Sequence, residues 1–191
     1  MTNPNARTVL VAAASRHGST AEIAVRIGGK LREELPSQAW HVQVTDTDSL
    51  DAIEGYDAVI LGSAVYLGRW LKSARQHLEN AEVPPPLGMW IFNSGPVDVN
   101  SPGCEPAETN EELTARLGIR GNVVFPGRLE RGRLGRFERA VTSAMRIAYG
   151  DFRDWAAIDS WASGIAHDLL VTVGEADEEG PYGGDTRDLL P

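Results

Sequence analysis

Thr8-Val9-Leu10-Val11-Ala12-Ala13-Ala14-Ser15-Arg16-His17-Gly18-Ser19-Thr20-Ala21-Glu22-Ile23-Ala24 is the stretch on which the reading of this chain turns. Residues 7–14 read as the first strand, and from Val9 on they are apolar at both parities, the pattern of a strand buried on both faces, as in a parallel sheet. The run breaks into Ser-x-x-Gly-Ser-Thr. It then restarts with Ile23, Ile27, Leu31 and Leu35 at fourfold spacing, a helix stripe ended by Pro36. A short hydroxyl-lined turn that opens a helix suits an anion such as phosphate. The first N–H groups of the helix have no partner inside it, and its dipole favours negative charge. Gly18 permits close approach of the backbone, and Ser15, Ser19 and Thr20 add hydroxyl donors. The competing reading is an ordinary strand-to-helix turn in which Ser19 or Thr20 only caps the helix.

Outward from this stretch the same alternation recurs. Residues 40–44 alternate as a second strand, and Asp46-Thr47-Asp48-Ser49 follows as a polar turn, with at most one helical turn over 50–54. Residues 56–63 form a third buried strand closed by small residues, and a helix is expected over 69–82, stopped by Pro84-Pro85-Pro86. Residues 87–92 are a fourth strand, followed by a Gly/Pro/Asn-rich loop to about Pro106, a helix over 107–117 and a fifth strand over 121–126. Strands alternating with helices imply right-handed crossovers and one doubly wound α/β domain, its parallel sheet covered on both faces. After the fifth strand, Leu134, Phe137, Val141, Met145 and Ala148 make a helical stripe in an extra segment. A last helix is expected from Asp151, with Trp155, Ile158, Trp161, Ile165 and Leu169 on its apolar face. The domain is read as residues 1–174, and 175–191, rich in glycine and acids, as a disordered tail.

Composition narrows the function classes. The 191 residues suit a single domain with a real core, and the hydrophobic and charged fractions of 42% and 24% are those of an ordinary globular chain. No apolar run is long enough to span a bilayer and the first residues do not read as a signal peptide, so a cytoplasmic location is expected. Cys104 is the one cysteine, which excludes an internal disulfide framework and a zinc cluster. The net charge is −9, but residues 151–191 hold ten acids and two arginines, leaving residues 1–150 at −1. With no extended basic face, nucleic acid is not an expected partner. Five arginines against two glutamates between Arg128 and Arg139 are a local exception. The cluster is read either as a solvated helix face or as contact for an anionic small molecule or membrane surface.

In an open α/β sheet, ligands sit at the carboxyl ends of the strands. Three loops there have unusual compositions: Ser15 to Thr20, Ser63-Ala64-Val65-Tyr66-Leu67-Gly68-Arg69-Trp70, and Asn93-Ser94-Gly95-Pro96-Val97-Asp98. They offer hydroxyls for a phosphate, two aromatics for a ring face and flexible backbone for a ring edge. Tyr66 and Trp70 read equally as packing residues, and Asn93 to Pro96 as a plain turn. Other site types fit less well. Gly28-Gly29-Lys30 lies mid-helix without the spacing of a nucleotide P-loop, and the spaced-glycine dinucleotide fingerprint is absent. No serine elbow has the flanking glycines of a hydrolase. Asp46 and Asp48 lack the acid after strand three that a phosphotransfer receiver needs, because Gly62-Ser63 stands there.

On these loops, residues 7–171 resemble the flavodoxin family. The resemblance implies a three-layer α/β sandwich with a five-stranded parallel sheet in the order 2-1-3-4-5, binding FMN. It implies that Ser15, His17, Gly18, Ser19 and Thr20 wrap the phosphate, with His17 standing where that family commonly has a hydroxyl. Ser63, Ala64, Tyr66, Leu67, Gly68 and Trp70 would then line one side of the flavin ring, and Asn93, Ser94, Gly95 and Asp98 the other. The chain is similar, more narrowly, to the menaquinone-dependent protoporphyrinogen dehydrogenases of flavodoxin type. The similarity rests on Ser15 to Thr20, the arginine-rich segment from Gly127 to Gly150, and Asp151-Phe152-Arg153-Asp154-Trp155. That similarity implies an oxidoreductase of heme biosynthesis passing electrons to a quinone, with Arg128, Arg131, Arg133 and Arg136 as substrate or membrane contacts. Two other readings compete with it: an electron shuttle that serves protein redox partners, and a flavodoxin-fold module without flavin. A homodimer and peripheral membrane contact are left open, and no catalytic acid or base is assigned.

Overall fold

The computed structural model describes residues 6–66, 68–95, 111–130, 132, 135 and 149–178. Strand β1 (Arg7–Ala14) leads into helix α1 (Ser19–Glu34), then β2 (Trp40–Asp46), with a single 3-10 turn at Thr47–Ser49. Strand β3 (Ala58–Tyr66) turns back through a two-residue arm, β4 (Arg69–Trp70), before α2 (Lys72–Asn80). Strand β5 (Met89–Gly95), α3 (Glu111–Leu117) and β6 (Ile119–Pro126) complete the alternation. A small hairpin of β7 (Arg128–Leu129) and β8 (Gly150–Asp151) then precedes the long last helix, α4 (Trp155–Glu178).

Five strands pair in parallel in the order β2-β1-β3-β5-β6, with β4 antiparallel to β3 at the margin. This is the expected 2-1-3-4-5 order once the β4 arm is set aside. Alternation along β1 divides the core in two. Val9, Val11 and Ala13 face Ile23, Ile27 and Leu31 of α1 and Ile158, Ile165 and Leu169 of α4. Leu10, Ala12 and Ala14 face Ala74 and Leu78 of α2, with Ile53 and Leu117. A strand buried on both faces must be apolar at both parities, and β1 is.

Gly62 in β3 carries one face of this core. A Cβ built there would lie 2.0–2.5 Å from the ring of Phe92, whose own ring packs 6.3 Å from Phe125 and 6.2 Å from Trp161. The bare backbone is what lets Phe92 lie across the central strand.

The structure corrects several sequence readings; the strands read as ending at residues 63 and 92 run on to Tyr66 and Gly95, so the first residues of the second and third expected loops are strand. The helix expected over 69–82 begins only at Lys72, because Gly68, at φ +76°, turns β3 back and pairs Tyr66 with Arg69 and Val65 with Trp70. The last helix starts at Trp155, not Asp151. Asp151 belongs to β8, and the Asp154 carboxylate accepts the Ala157 N–H at 3.0 Å, marking the helix start. That helix runs through Glu178, so the first residues of the expected tail, 175–178, are helical. Strand five begins at Ile119, two residues earlier than read. The helical stripe expected within 134–148 and the remainder of the expected tail lie outside the described residues. Among the described residues, no helix is long and apolar enough to cross a membrane.

Candidate functional site

Helix α1 opens on Gly18, held at φ +88°, a left-handed conformation that glycine adopts without strain. The Gly18 N–H donates to Ser15 Oγ at 3.0 Å, closing the turn. The Glu22 N–H donates to the Gly18 carbonyl at 3.0 Å as the first helical bond, so the N–H groups of Ser19, Thr20 and Ala21 point out of the helix end. Ser19 Oγ accepts the backbone N–H of Arg128 at 3.0 Å, which leaves its hydroxyl hydrogen to donate. Thr20 is buried. These outward N–H groups, two hydroxyls and a positive dipole end are the donor set of an anion site.

The second loop meets the first through an aromatic contact. His17 stands edge-on to Tyr66, with ring centroids 6.4 Å apart, and the Arg16 guanidinium lies over the Tyr66 ring at 5.7 Å. Tyr66 is half-buried, and Gly68 is exposed at the tip of the turn. Ser63 and Ala64 are buried; Ser63 Oγ accepts the Leu71 N–H at 3.0 Å and donates to the Ala64 carbonyl, fixing the fold-back of the β4 arm.

Trp70 is elsewhere. Only 4% exposed, it packs in the α2-side core, and its indole N–H donates to Asn93 Oδ1 at 2.7 Å. The Asn93 amide, 0% exposed, donates in turn to Asn122 Oδ1 at 2.7 Å and to the Val123 carbonyl at 3.0 Å. The structure therefore turns both residues inward, as a polar tie between the β4 arm, β5 and β6 rather than as surfaces facing a ligand. Ser94 is buried and Gly95 half-buried. Leu67 and Asp98 lie outside the described residues.

The link from β6 to β7 passes between the first and third loops. A Cβ on Gly127 would lie 3.0 Å from the Gly95 carbonyl oxygen, 3.4 Å from Ser94 Oγ and 3.8 Å from Ser19 Oγ. Arg128 follows. Its guanidinium pairs with Glu22 at 2.7 Å and with Glu130 at 3.3 Å. A cleft of about 480 Å³ opens beside the hairpin, lined by Arg128, Leu129, Glu130, Tyr149, Gly150 and Asp151. Arg128 reaches it with a guanidinium already engaged by carboxylates. Arg131, Arg133 and Arg136 lie outside the described residues.

Sequence reasoning missed the ion network behind this turn. Arg153, its side chain 3% exposed, donates to both carboxylate oxygens of Asp151, at 2.8 and 2.6 Å, and to Glu22 at 2.7 Å. Its guanidinium carbon lies 4.4 Å from the Trp155 ring centroid. The hydrogen bond from Arg153 holds the Glu22 carboxyl below its ordinary range, against the opposing effect of burial, and the same arginine lowers Asp151. The Asp151 and Glu22 carboxylates hold Arg153 above the ordinary arginine value. The Asp-x-Arg-Asp-Trp string was visible in the sequence, but nothing local connects it to Glu22, 131 residues away.

Fold and site together define an open α/β protein with a donor set of the anion-site type at the carboxyl edge of its parallel sheet, on the turn before the first helix. Comparison with known proteins agrees. A model of the flavodoxin domain family matches residues 10–154, and the chain belongs to that family, whose cofactor is FMN. No curated protein sequence matches. Among solved structures, oxidised flavodoxin 2 from Bacillus cereus is 21% identical with a TM-score of 0.55, covering 87% of this chain and 99% of that one. The C101S mutant of flavodoxin from Pseudomonas aeruginosa is 14% identical with a TM-score of 0.56, covering 85% and 99%. The flavodiiron core of Flv1 from Synechocystis sp. PCC6803 is 13% identical with a TM-score of 0.54, covering 92% of this chain and 38% of that one. At these identities the structural likeness speaks for the fold.

The residues present fit the phosphate end of FMN. The outward N–H groups of Ser19, Thr20 and Ala21 and the hydroxyls of Ser15 and Ser19 suit a phosphate monoester, with Gly18 leaving its approach open. Of the two aromatics expected at the ring, Tyr66 is half-buried beside the turn and Trp70 is committed to the core.

Proposed function

We propose that this protein is an FMN-dependent oxidoreductase that takes hydrogen from a reduced tetrapyrrole of the protoporphyrinogen type and passes the electrons to a quinone. The observation that carries the flavin part is the α1 turn, in which outward N–H groups and the hydroxyls of Ser15 and Ser19 meet at the positive end of a 16-residue helix. Bound there, FMN would supply the two-electron chemistry. The chain's own part is to bind and orient. Ser15, Ser19 and the first turn of α1 hold the phosphate, Tyr66 borders the ring, and the exposed backbone at Gly68 is free to approach the ring edge. His17 braces Tyr66 and so keeps the first two loops together.

The substrate part rests on the resemblance of the Gly127–Gly150 segment and the Asp151–Trp155 string to the menaquinone-dependent dehydrogenases. In this reading a pair of hydrogens leaves the tetrapyrrole and reduces quinone to quinol. A quinone dissolves in lipid, so peripheral contact with a membrane belongs to the proposal, and Arg131, Arg133 and Arg136 are the residues assigned to it. Arg128 is left out, because its guanidinium is paired with Glu22 and Glu130.

The test has two stages. Purified protein should be yellow with the absorbance of oxidised flavin, or become so on titration with FMN; colourless protein that takes up no FMN defeats the proposal. Loaded protein should then oxidise protoporphyrinogen with a menaquinone analogue as acceptor. Absence of turnover, together with rapid reduction by a flavodoxin reductase, would replace the enzyme with an electron shuttle.

A further inference from the structure

The carboxylate of Glu22 lies one helical turn behind the N–H groups that would hold the cofactor phosphate, where an uncompensated negative charge opposes a bound phosphate dianion. The structure compensates it twice, with Arg128 and Arg153 at 2.7 Å each. Arg153 is the more committed of the two. It is buried, stacked on Trp155 and forked onto Asp151, so the pairing with Glu22 also fastens α1 to the β7–β8 hairpin. Two bonds donated by backbone N–H groups run through the same junction: the Arg128 N–H to Ser19 Oγ at 3.0 Å, and the Phe152 N–H to the Gly127 carbonyl at 3.2 Å. One cluster of interactions thus touches the phosphate turn, the end of β6 and both strands of the hairpin that brackets residues 130–149.

We infer that Arg153 is a positioning residue, acting through Glu22, that makes binding of the cofactor phosphate and docking of the β7–β8 hairpin energetically one event. This rests on the FMN reading above. While Glu22 links them, such coupling is reciprocal: a ligand that engages the phosphate turn must also tighten the hairpin, and a variant that frees Glu22 from Arg153 must weaken that ligand. Riboflavin shares the flavin ring but has no phosphate, so it should do neither.

Hydrogen–deuterium exchange of the full chain, alone and with saturating FMN or riboflavin, reads one half of the linkage. The peptides spanning 126–130 and 150–153 should exchange more slowly with FMN and at an unchanged rate with riboflavin. Dissociation constants for the two flavins read the other half. Arg153→Met should lower the preference for FMN over riboflavin about tenfold, toward the lower end of the usual range of coupling between sites. Arg153→Lys keeps the charge but reaches one carboxylate, and should hold an intermediate preference. Adding Glu22→Gln to Arg153→Met removes the exposed negative charge and should restore much of the preference, while the hairpin peptides stay fast. Wild-type protein that binds FMN tightly without slowing the hairpin overturns this inference alone. So do Arg153→Lys and Arg153→Met variants that keep the wild-type preference. Wild-type protein that binds no FMN brings down the cofactor reading and this inference with it.

Discussion

Replacing Trp70 with phenylalanine separates the two roles its position allows. Its indole N–H donates at 2.7 Å to Asn93 Oδ1, and both residues are sealed from solvent, 4% and 0% exposed. Removing one partner of a buried hydrogen bond costs about 1–3 kcal/mol. The smaller ring also leaves part of the α2-side core unfilled, which adds about 1 kcal/mol. The sum is about 2–4 kcal/mol, a large fraction of what holds a domain of this size. The assay is urea unfolding of flavin-free protein followed by circular dichroism, because bound cofactor would contribute its own stabilisation. With an ordinary denaturant dependence, the midpoint should fall by about 1–2 M. If Trp70 instead stacked on the flavin, Trp70→Phe would leave the flavin-free protein intact and alter flavin absorbance or affinity. A stability loss below about 0.5 kcal/mol would refute the buried role.

Three further predictions follow from the same geometry. Gly62→Ala drives a methyl to 2.0–2.5 Å from the Phe92 ring, so overpacking of about 1–3 kcal/mol should lower the thermal midpoint by about 3–10 °C in calorimetry. Tyr66→Ala should weaken FMN and riboflavin equally, by about tenfold for the loss of one aromatic contact; flavin affinities that do not move would place the ring elsewhere. Glu22 and Asp151 titrate below their ordinary values of 4.5 and 3.8 because Arg153 pairs with their charged forms. Their stabilising effect is therefore fully present above the unfolded carboxyl range and fades as pH falls through the lowered folded values. Unfolding midpoints of the wild type should drop more steeply between pH 5 and pH 3 than those of Arg153→Met.

The parts of the fold legible in the sequence are those where a local pattern carries the physics. Residues 9–14 are apolar at both parities because β1 has helices on both faces, and that composition admits little else. The stripe Ile23, Ile27, Leu31 and the stop at Pro36 define α1 with no knowledge of its neighbours. Residue 69 onward reads as helix for a similar reason, but there the tertiary structure overrode the pattern. The turn at Gly68 and the bond from the Leu71 N–H to Ser63 Oγ spend Arg69 and Trp70 on a strand before the helix begins.

The candidate site divides along the same line. Ser15-x-x-Gly18-Ser19 is legible as a turn, since the groups it would offer an anion are the backbone of one turn and the hydroxyls beside it. Which aromatic stands open beside that turn is not local information. Tyr66 and Trp70 are four residues apart, and pairing across the β3–β4 fold-back sends the first toward His17 and the second toward Asn93. Arg128 and Arg153 show the same limit. In the sequence they belong to a basic segment and an aromatic string, and in the fold they turn inward and share Glu22. The sequence by itself determined the strand order's building blocks and the phosphate-type turn, because both follow from short-range periodicity and backbone chemistry. The tertiary structure decided which polar side chains stay open at the carboxyl edge of the sheet and which face each other. That choice depends on partners brought together from as far as 131 residues away, and no local pattern records it.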